Sequence, residues 1–229
     1  MEIKPIAHFR SPFTTKFGIP RQSGLVEGLR GRIVFEPEYR SADALRGLDG
    51  FDYIWMIWGF SANAGARKGT TVRPPRLGGN VRMGVWATRS PFRPNNLGLS
   101  SVRIERIEPA GACGPVIHVA GADLMDGTPI YDIKPYVAAA DSHEGVRCGF
   151  ADSEQWQPLE VCIPAGLRSV FAPEEWQTLS GVRGLDPRPH FHDDPSRVYG
   201  MPFGGFDVRF RVDGRVLTVT EVVPTAPRT

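Results

Sequence analysis

The feature that most constrains this chain is Tyr53-Ile54-Trp55-Met56-Ile57-Trp58-Gly59-Phe60, an uncharged run dominated by aromatic and aliphatic side chains. Such a run must leave water, yet it falls far short of the roughly 20 apolar residues that a membrane-spanning helix requires. Its length and its β-branched and aromatic content read as a strand, either buried on both faces or forming the wall of a barrel. Further strand-like segments surround it at Ile3 to Phe9, Gly31 to Phe35, Met83 to Thr88, Leu97 to Ile107, Val116 to Leu124 and, after the Asp126-Gly127 turn, Ile130 to Val137. These make about seven strands without the strand-then-long-helix rhythm of parallel sheets, so an antiparallel barrel or sandwich is expected over residues 1–140. One short helix is predicted there, at Ser41 to Leu48, with Ser41 as N-cap.

Residues 141–157 lose the pattern and read as a linker. Residues 158–229 form a smaller α+β unit: a strand near Leu159 to Ile163, a helix at Pro173 to Leu179, an irregular GLDPRPHFHDDPSR stretch, and a hairpin from Phe206 to Val223 turned by Asp213-Gly214. With 41% hydrophobic and 23% charged residues the chain is not disordered, and 26 Gly and 21 Pro suit many strands joined by turns. Cys113, Cys148 and Cys162 are too few and too scattered for a disulfide framework or a CxxC metal site and are expected to be buried thiols. No leader or membrane span is apparent, so a cytoplasmic protein is expected.

Net charge is only +2, but it is unevenly distributed. No acidic residue lies between Asp52 and Glu105, an interval that holds Arg67, Lys68, Arg73, Arg76, Arg82, Arg89, Arg93 and Arg103; Asp123, Asp126, Asp132, Asp141 and Glu144 follow. The loops around Arg73-Pro74-Pro75-Arg76 and Arg89 to Asn96 offer guanidinium forks on a proline-stiffened backbone, which suits phosphate. Without a recognition helix, RNA fits them better than DNA. Read by themselves, they could equally be solvated turns whose arginines pair with Asp123 and Asp126. Asp123-Leu124-Met125-Asp126-Gly127-Thr128 is hairpin chemistry or a strand-end ligand site. His190 and His192 lack further placed ligands, so no metal site is expected. GxGxxG, P-loop, HExxH and GxSxG signatures are all missing.

Taken in order, Pro20-Arg21-Gln22, TVRPPRLGGN (71–80), GVWATRSPFRPNNLG (84–98), DLMDGTPIYDIKPY (123–136) and DPRP (186–189) closely resemble the TsaA-like, or TrmO, family. The resemblance spans nearly the whole chain and implies a methyltransferase that uses S-adenosylmethionine on N6 of threonylcarbamoyl-adenosine beside the tRNA anticodon. It further implies an antiparallel β-barrel of about seven strands, a small C-terminal domain, and a homodimer. By position, the donor site would comprise Pro20, Arg21, Gln22, Ser61, Ala62, Arg89, Leu99, Asp123, Leu124, Met125 and Asp126. Ser61-Ala62 stands where the family usually has His-Gln, so only backbone contacts carry over there. Arg73, Arg76, Arg93 and Arg188 would face tRNA, and Asp186 or a main-chain carbonyl would accept the proton lost from the weakly nucleophilic nitrogen. The competing readings are a non-catalytic RNA-binding barrel and a barrel that binds an adenosine ligand without chemistry.

Overall fold

The computed structural model describes residues 2–63, 65, 69–74, 77, 80–152, 157–188 and 194–225. Its strands are β1 (Ala7–Arg10), β2 (Arg30–Phe35), β3 (Tyr53–Gly59), β4 (Thr71–Val72), β5 (Met83–Gly84), β6 (Leu97–Glu108), β7 (Val116–Ala120), β8 (Pro129–Pro135), β9 (Glu160–Cys162), β10 (Tyr199–Phe203), β11 (Phe206–Asp213) and β12 (Val216–Pro224). Helices α1 (Ala138–Asp141) and α2 (Pro173–Gly184) accompany them. Arg76, Arg67, Lys68 and the stretch Pro189 to Asp193, with His190 and His192, lie outside the described residues.

Six strands close a barrel in the order β1-β2-β7-β6-β3-β8, with every neighbouring pair antiparallel. The aromatic run is one wall. Ile54, Met56 and Trp58 point inward and are buried, while Tyr53 is exposed on the alternate face. Expected at about seven, the barrel has six strands because Met83 to Thr88 is not part of it. Only Met83-Gly84 is extended there, paired with Thr71-Val72 in a separate ribbon. Val85–Ala87 then coils into a 3-10 turn that buries Val85 and exposes Trp86, and the Thr88 hydroxyl donates to the Val85 carbonyl at 2.9 Å.

Ser41 to Leu48 is also not the predicted helix. It forms 3-10 turns at Ala42–Leu45 and Leu48–Gly50, and the Ser41 side chain makes no capping bond. All three cysteines are exposed rather than buried, because each sits in a turn or at a sheet edge.

A second sheet, β10-β11-β12-β9, has β9 parallel to β12. α2 packs on it through Trp176, Leu179 and Val182. Pro173 starts this helix, and the Glu175 carboxylate accepts from the Ala172 N–H at 3.0 Å, satisfying a donor left free by the first turn. The helix runs past the predicted Leu179 to Gly184. β10 was not anticipated, since Gly200 and Pro202 break the strand pattern.

Two hydrophobic cores result. Phe9, Ile33, Ile54, Met56, Ile117 and Ile130 fill the barrel. The other core combines the second sheet and α2 with Phe13, Val26 and Leu29, which belong to the connection between β1 and β2.

Candidate functional site

That connection leaves the barrel, lays Phe13 against Phe203 with ring centroids 5.7 Å apart, and returns. Gly18 adopts a left-handed φ of +86°, and a Cβ there would stand 1.9 Å from Met201 Sδ, so glycine is required for this approach. Pro20 is buried beside it. Anchored this way, Arg21, Gln22 and Ser23 are presented toward the barrel.

Gln22 Oε1 accepts a hydrogen bond from Arg89 Nη1, which joins the first motif to the loop after β5. Behind that pair lies Asp123. Its Oδ1 accepts from the Ser100 hydroxyl at 2.6 Å, and Ser100 Oγ accepts from Trp58 Nε1 at 3.0 Å. Trp58 reaches Ser100 because the facing position on β6 is Gly98, where a Cβ would lie 2.4 Å from the indole. Burial pushes the Asp123 carboxyl above the usual aspartate range, opposed by the Ser100 hydroxyl, its own backbone, the charge of Arg89 and the Ser23 N–H. The chain thus holds a carboxylate and a guanidinium close together at one end of the barrel, each steered by a neutral partner.

The other expected donor positions fall around this cluster in different ways. Ser61 and Ala62 form an exposed 3-10 turn that Asn96 steadies: its Nδ2 lies 3.5 Å from the Asn63 carbonyl, and its own carbonyl accepts from the Phe60 N–H at 2.9 Å. Leu99, opposite Ile57, is 57% exposed and offers apolar surface. Leu124 turns into the barrel core and is buried. The Met125 carbonyl accepts from Thr128 Oγ1 at 2.7 Å. Asp126 faces the β1 side, where Oδ1 accepts from the Ser11 N–H at 3.1 Å and Oδ2 lies 3.6 Å from Arg10 Nη1. Neither aspartate is paired with Arg73, which is exposed and makes no hydrogen bond or ion pair among the described residues.

Arg93 donates from Nη1 to the Thr88 carbonyl at 2.6 Å and lies 5.4 Å from the centre of the Trp86 ring. It braces its own loop while stacking on a tryptophan that is 70% exposed. In the small unit, Arg188 grips Asp186 with two side-chain bonds at 2.9 and 3.0 Å, and Arg21 Nη2 lies 3.5 Å from the Asp186 carbonyl. Asn96 and Asp186 are the described non-glycine residues with positive φ, +51° and +46°, and both lie in motif loops. Such backbone persists where the surroundings hold it in place.

Ser23, Trp58, Ser100 and Trp86 were not singled out as site residues by the sequence. Ser100 carried no signal of its own, because its inward position on β6 is set by the register with β3.

Two family models match the chain: the tRNA-methyltransferase O N-terminal domain over residues 8–142 and the TrmO C-terminal domain over residues 172–225. The chain belongs to the tRNA-methyltransferase O family. A family relative from Escherichia coli K12, named tRNA (adenine(37)-N6)-methyltransferase, is 35% identical over 222 residues, covering 92% of this chain and 93% of the relative. A Pseudomonas aeruginosa protein named as a putative S-adenosylmethionine-dependent methyltransferase is 38% identical over 219 residues, 91% of each chain. A crystal structure of TrmO from Pseudomonas aeruginosa superposes with a TM-score of 0.76 at 29% identity, covering 97% of this chain and 98% of that one. The Gln22–Arg89 and Ser100–Asp123 contacts fall within the N-terminal model of the family, and Asp186 and Arg188 within its C-terminal model.

Proposed function

We propose that this protein methylates N6 of adenine 37 in tRNA, the reaction that names its Escherichia coli relative, with S-adenosylmethionine as donor and a threonylcarbamoyl group on the acceptor base. The observation that carries this reading is the convergence of Gln22, Ser23, Arg89, Ser100 and Asp123 at one end of the barrel. Its chemistry fits the donor, which has a carboxylate for Arg89, hydroxyl and amino hydrogens for Asp123, and an apolar flank for Leu99. When bound, S-adenosylmethionine supplies a methyl carbon activated by its sulfonium sulfur.

Pro20, Arg21 and Gln22 wall the donor on one side, and the backbones at Ser61, Ala62, Leu124 and Met125 on others, with Asp126 closing the turn. Alignment and exclusion of water are then the main tasks of the protein. Asp186 accepts the proton displaced from the acceptor nitrogen, and Arg188 orients its carboxylate. Arg73 faces tRNA phosphate, the role its motif also gives Arg76, while Arg93 braces the loop that presents Trp86 as a stacking surface for an unstacked base. The barrel of residues 1–140 would hold the donor and the unit of residues 158–229 would complete the acceptor side. The assembly would work as a homodimer in the cytoplasm, to be checked by sedimentation.

The test is incubation of the full chain with methyl-labelled S-adenosylmethionine and tRNA from a strain lacking the modification, followed by digestion and identification of the labelled nucleoside. Label on N6 of threonylcarbamoyl-adenosine, and none in tRNA without that group, is expected. Donor binding with no transfer to any tRNA would leave a barrel that only binds an adenosine ligand.

A further inference from the structure

The outer face of the barrel carries cations that the donor cluster does not use. In register, Arg10 on β1 lies opposite Arg32 on β2, Arg32 opposite His118 on β7, and His118 opposite Arg106 on β6. With neighbouring strands about 4.8 Å apart, this row runs for about 14 Å straight across the sheet. Like charges placed directly opposite one another on neighbouring strands are destabilising, so the Arg10–Arg32 pair has a cost that packing does not explain.

Arg106 joins the row only because β6 slips register between Ile104 and Arg106. The extra residue lets Ile104 and Ile107 both pack against the barrel core and turns Arg106 outward beside His118. Counter-charges sit at the two ends. Asp126 lies 3.6 Å from Arg10, and Glu108 lies 3.2 Å from His118 and 3.4 Å from Arg106. Arg32, in the middle, is exposed and makes no hydrogen bond or ion pair among the described residues. An open depression of about 410 Å³ lies beside it, lined also by Arg10, His118 and Arg30, the last paired with Glu105 at 3.1 Å, and bounded by Asp126 of the turn that follows Asp123.

We propose that the row Arg10–Arg32–His118–Arg106 is a track for the sugar–phosphate backbone of tRNA, outside the donor site. A self-neutralised sheet face would leave no central guanidinium unpaired, whereas a polyanion laid across the strands meets Arg32 first and can displace the weak end pairs. The proposal rests on the tRNA methyltransferase reading for the identity of the RNA.

The test is tRNA binding by fluorescence anisotropy across a salt series, using the full chain and its Arg32→Ala, Arg32→Glu and Arg32→Lys variants. Arg32→Ala should weaken binding about threefold to tenfold and lower the slope of log affinity against log salt by about 0.7–0.9, one phosphate contact. Arg32→Glu should lose more, and Arg32→Lys should restore most of the affinity. In turnover, KM for tRNA should rise in Arg32→Glu while the affinity for S-adenosylmethionine, read by calorimetry, is kept. If the parent protein methylates tRNA but Arg32→Glu matches it in affinity, salt slope and KM, the track is refuted and the function stands. If the parent transfers no methyl group to tRNA, the function itself fails.

Discussion

The two hydrophobic cores of this protein close in different ways. In the barrel, each strand contributes alternate side chains to an interior sealed by its own neighbours, and β8 completes the ring by pairing with both β1 and β3. The second sheet cannot seal itself. It borrows Phe13, Val26 and Leu29 from the connection between β1 and β2, so a stretch of the barrel's own chain lies inside the core of the small unit. Pro20-Arg21-Gln22 belongs to that borrowed stretch. Gln22 and Ser23, two of the five cluster residues, are therefore positioned from the C-terminal side, although the whole cluster lies in the N-terminal portion of the sequence.

Uncoupling the two cores gives the largest expected effect. Phe13 is fully buried, so Phe13→Ala should cost about 3–5 kcal/mol in thermal or denaturant unfolding. It should also weaken donor binding, because Phe13 anchors the stretch that carries Gln22. A loss of stability with donor affinity intact would show that the borrowed stretch does not position Gln22. Gly18→Ala presses on the same joint more gently. The left-handed backbone alone costs a residue with a Cβ about 1–2 kcal/mol, and Met201 must also move.

Arg183→Met probes the small unit alone and should change stability by less than about 1 kcal/mol. The buried Arg183 guanidinium stacks 4.6 Å from the centre of Phe210 and donates from Nη2 to the Val208 carbonyl, but Nε and Nη1 find no partner among the described residues. Losing one bond is offset by relieving a buried charge. A drop of several kcal/mol in unfolding free energy would mean that the charge is compensated after all.

Much of the barrel was legible because alternation in Ile54, Met56 and Trp58 is set by the pleat and survives any tertiary context. Met83 to Thr88 misled because a short apolar segment looks alike as a strand and as a 3-10 turn with one inward side chain. Tyr199–Phe203 was hidden by Gly200 and Pro202, which mark turns elsewhere yet sit here in a sheet. At the site, loop residues such as Gln22, Arg89 and Asp123 stood out through motif order. Ser100 and Trp58 did not, since a strand serine and a core tryptophan gain meaning only when the register sets one beside the other. Arg93 shows a further limit: an arginine that braces its own loop and one that faces a phosphate read the same in sequence.

Calorimetric titration of the full chain and its Asp123→Asn variant with S-adenosylmethionine, across pH, addresses the donor site most directly. Because burial raises the Asp123 carboxyl, the stability linked to it is fully present below the unfolded value, about 4, and is lost as pH rises through the higher folded value. Asp123→Asn should therefore leave the donor-free protein at least as stable near neutral pH. Donor affinity should fall at least about tenfold in the variant, roughly 1.4 kcal/mol. In the parent it should fall as pH drops through the raised Asp123 value, a step the variant should lack. Equal donor affinity and the same pH dependence in both proteins would contradict the assignment of the donor site to this end of the barrel.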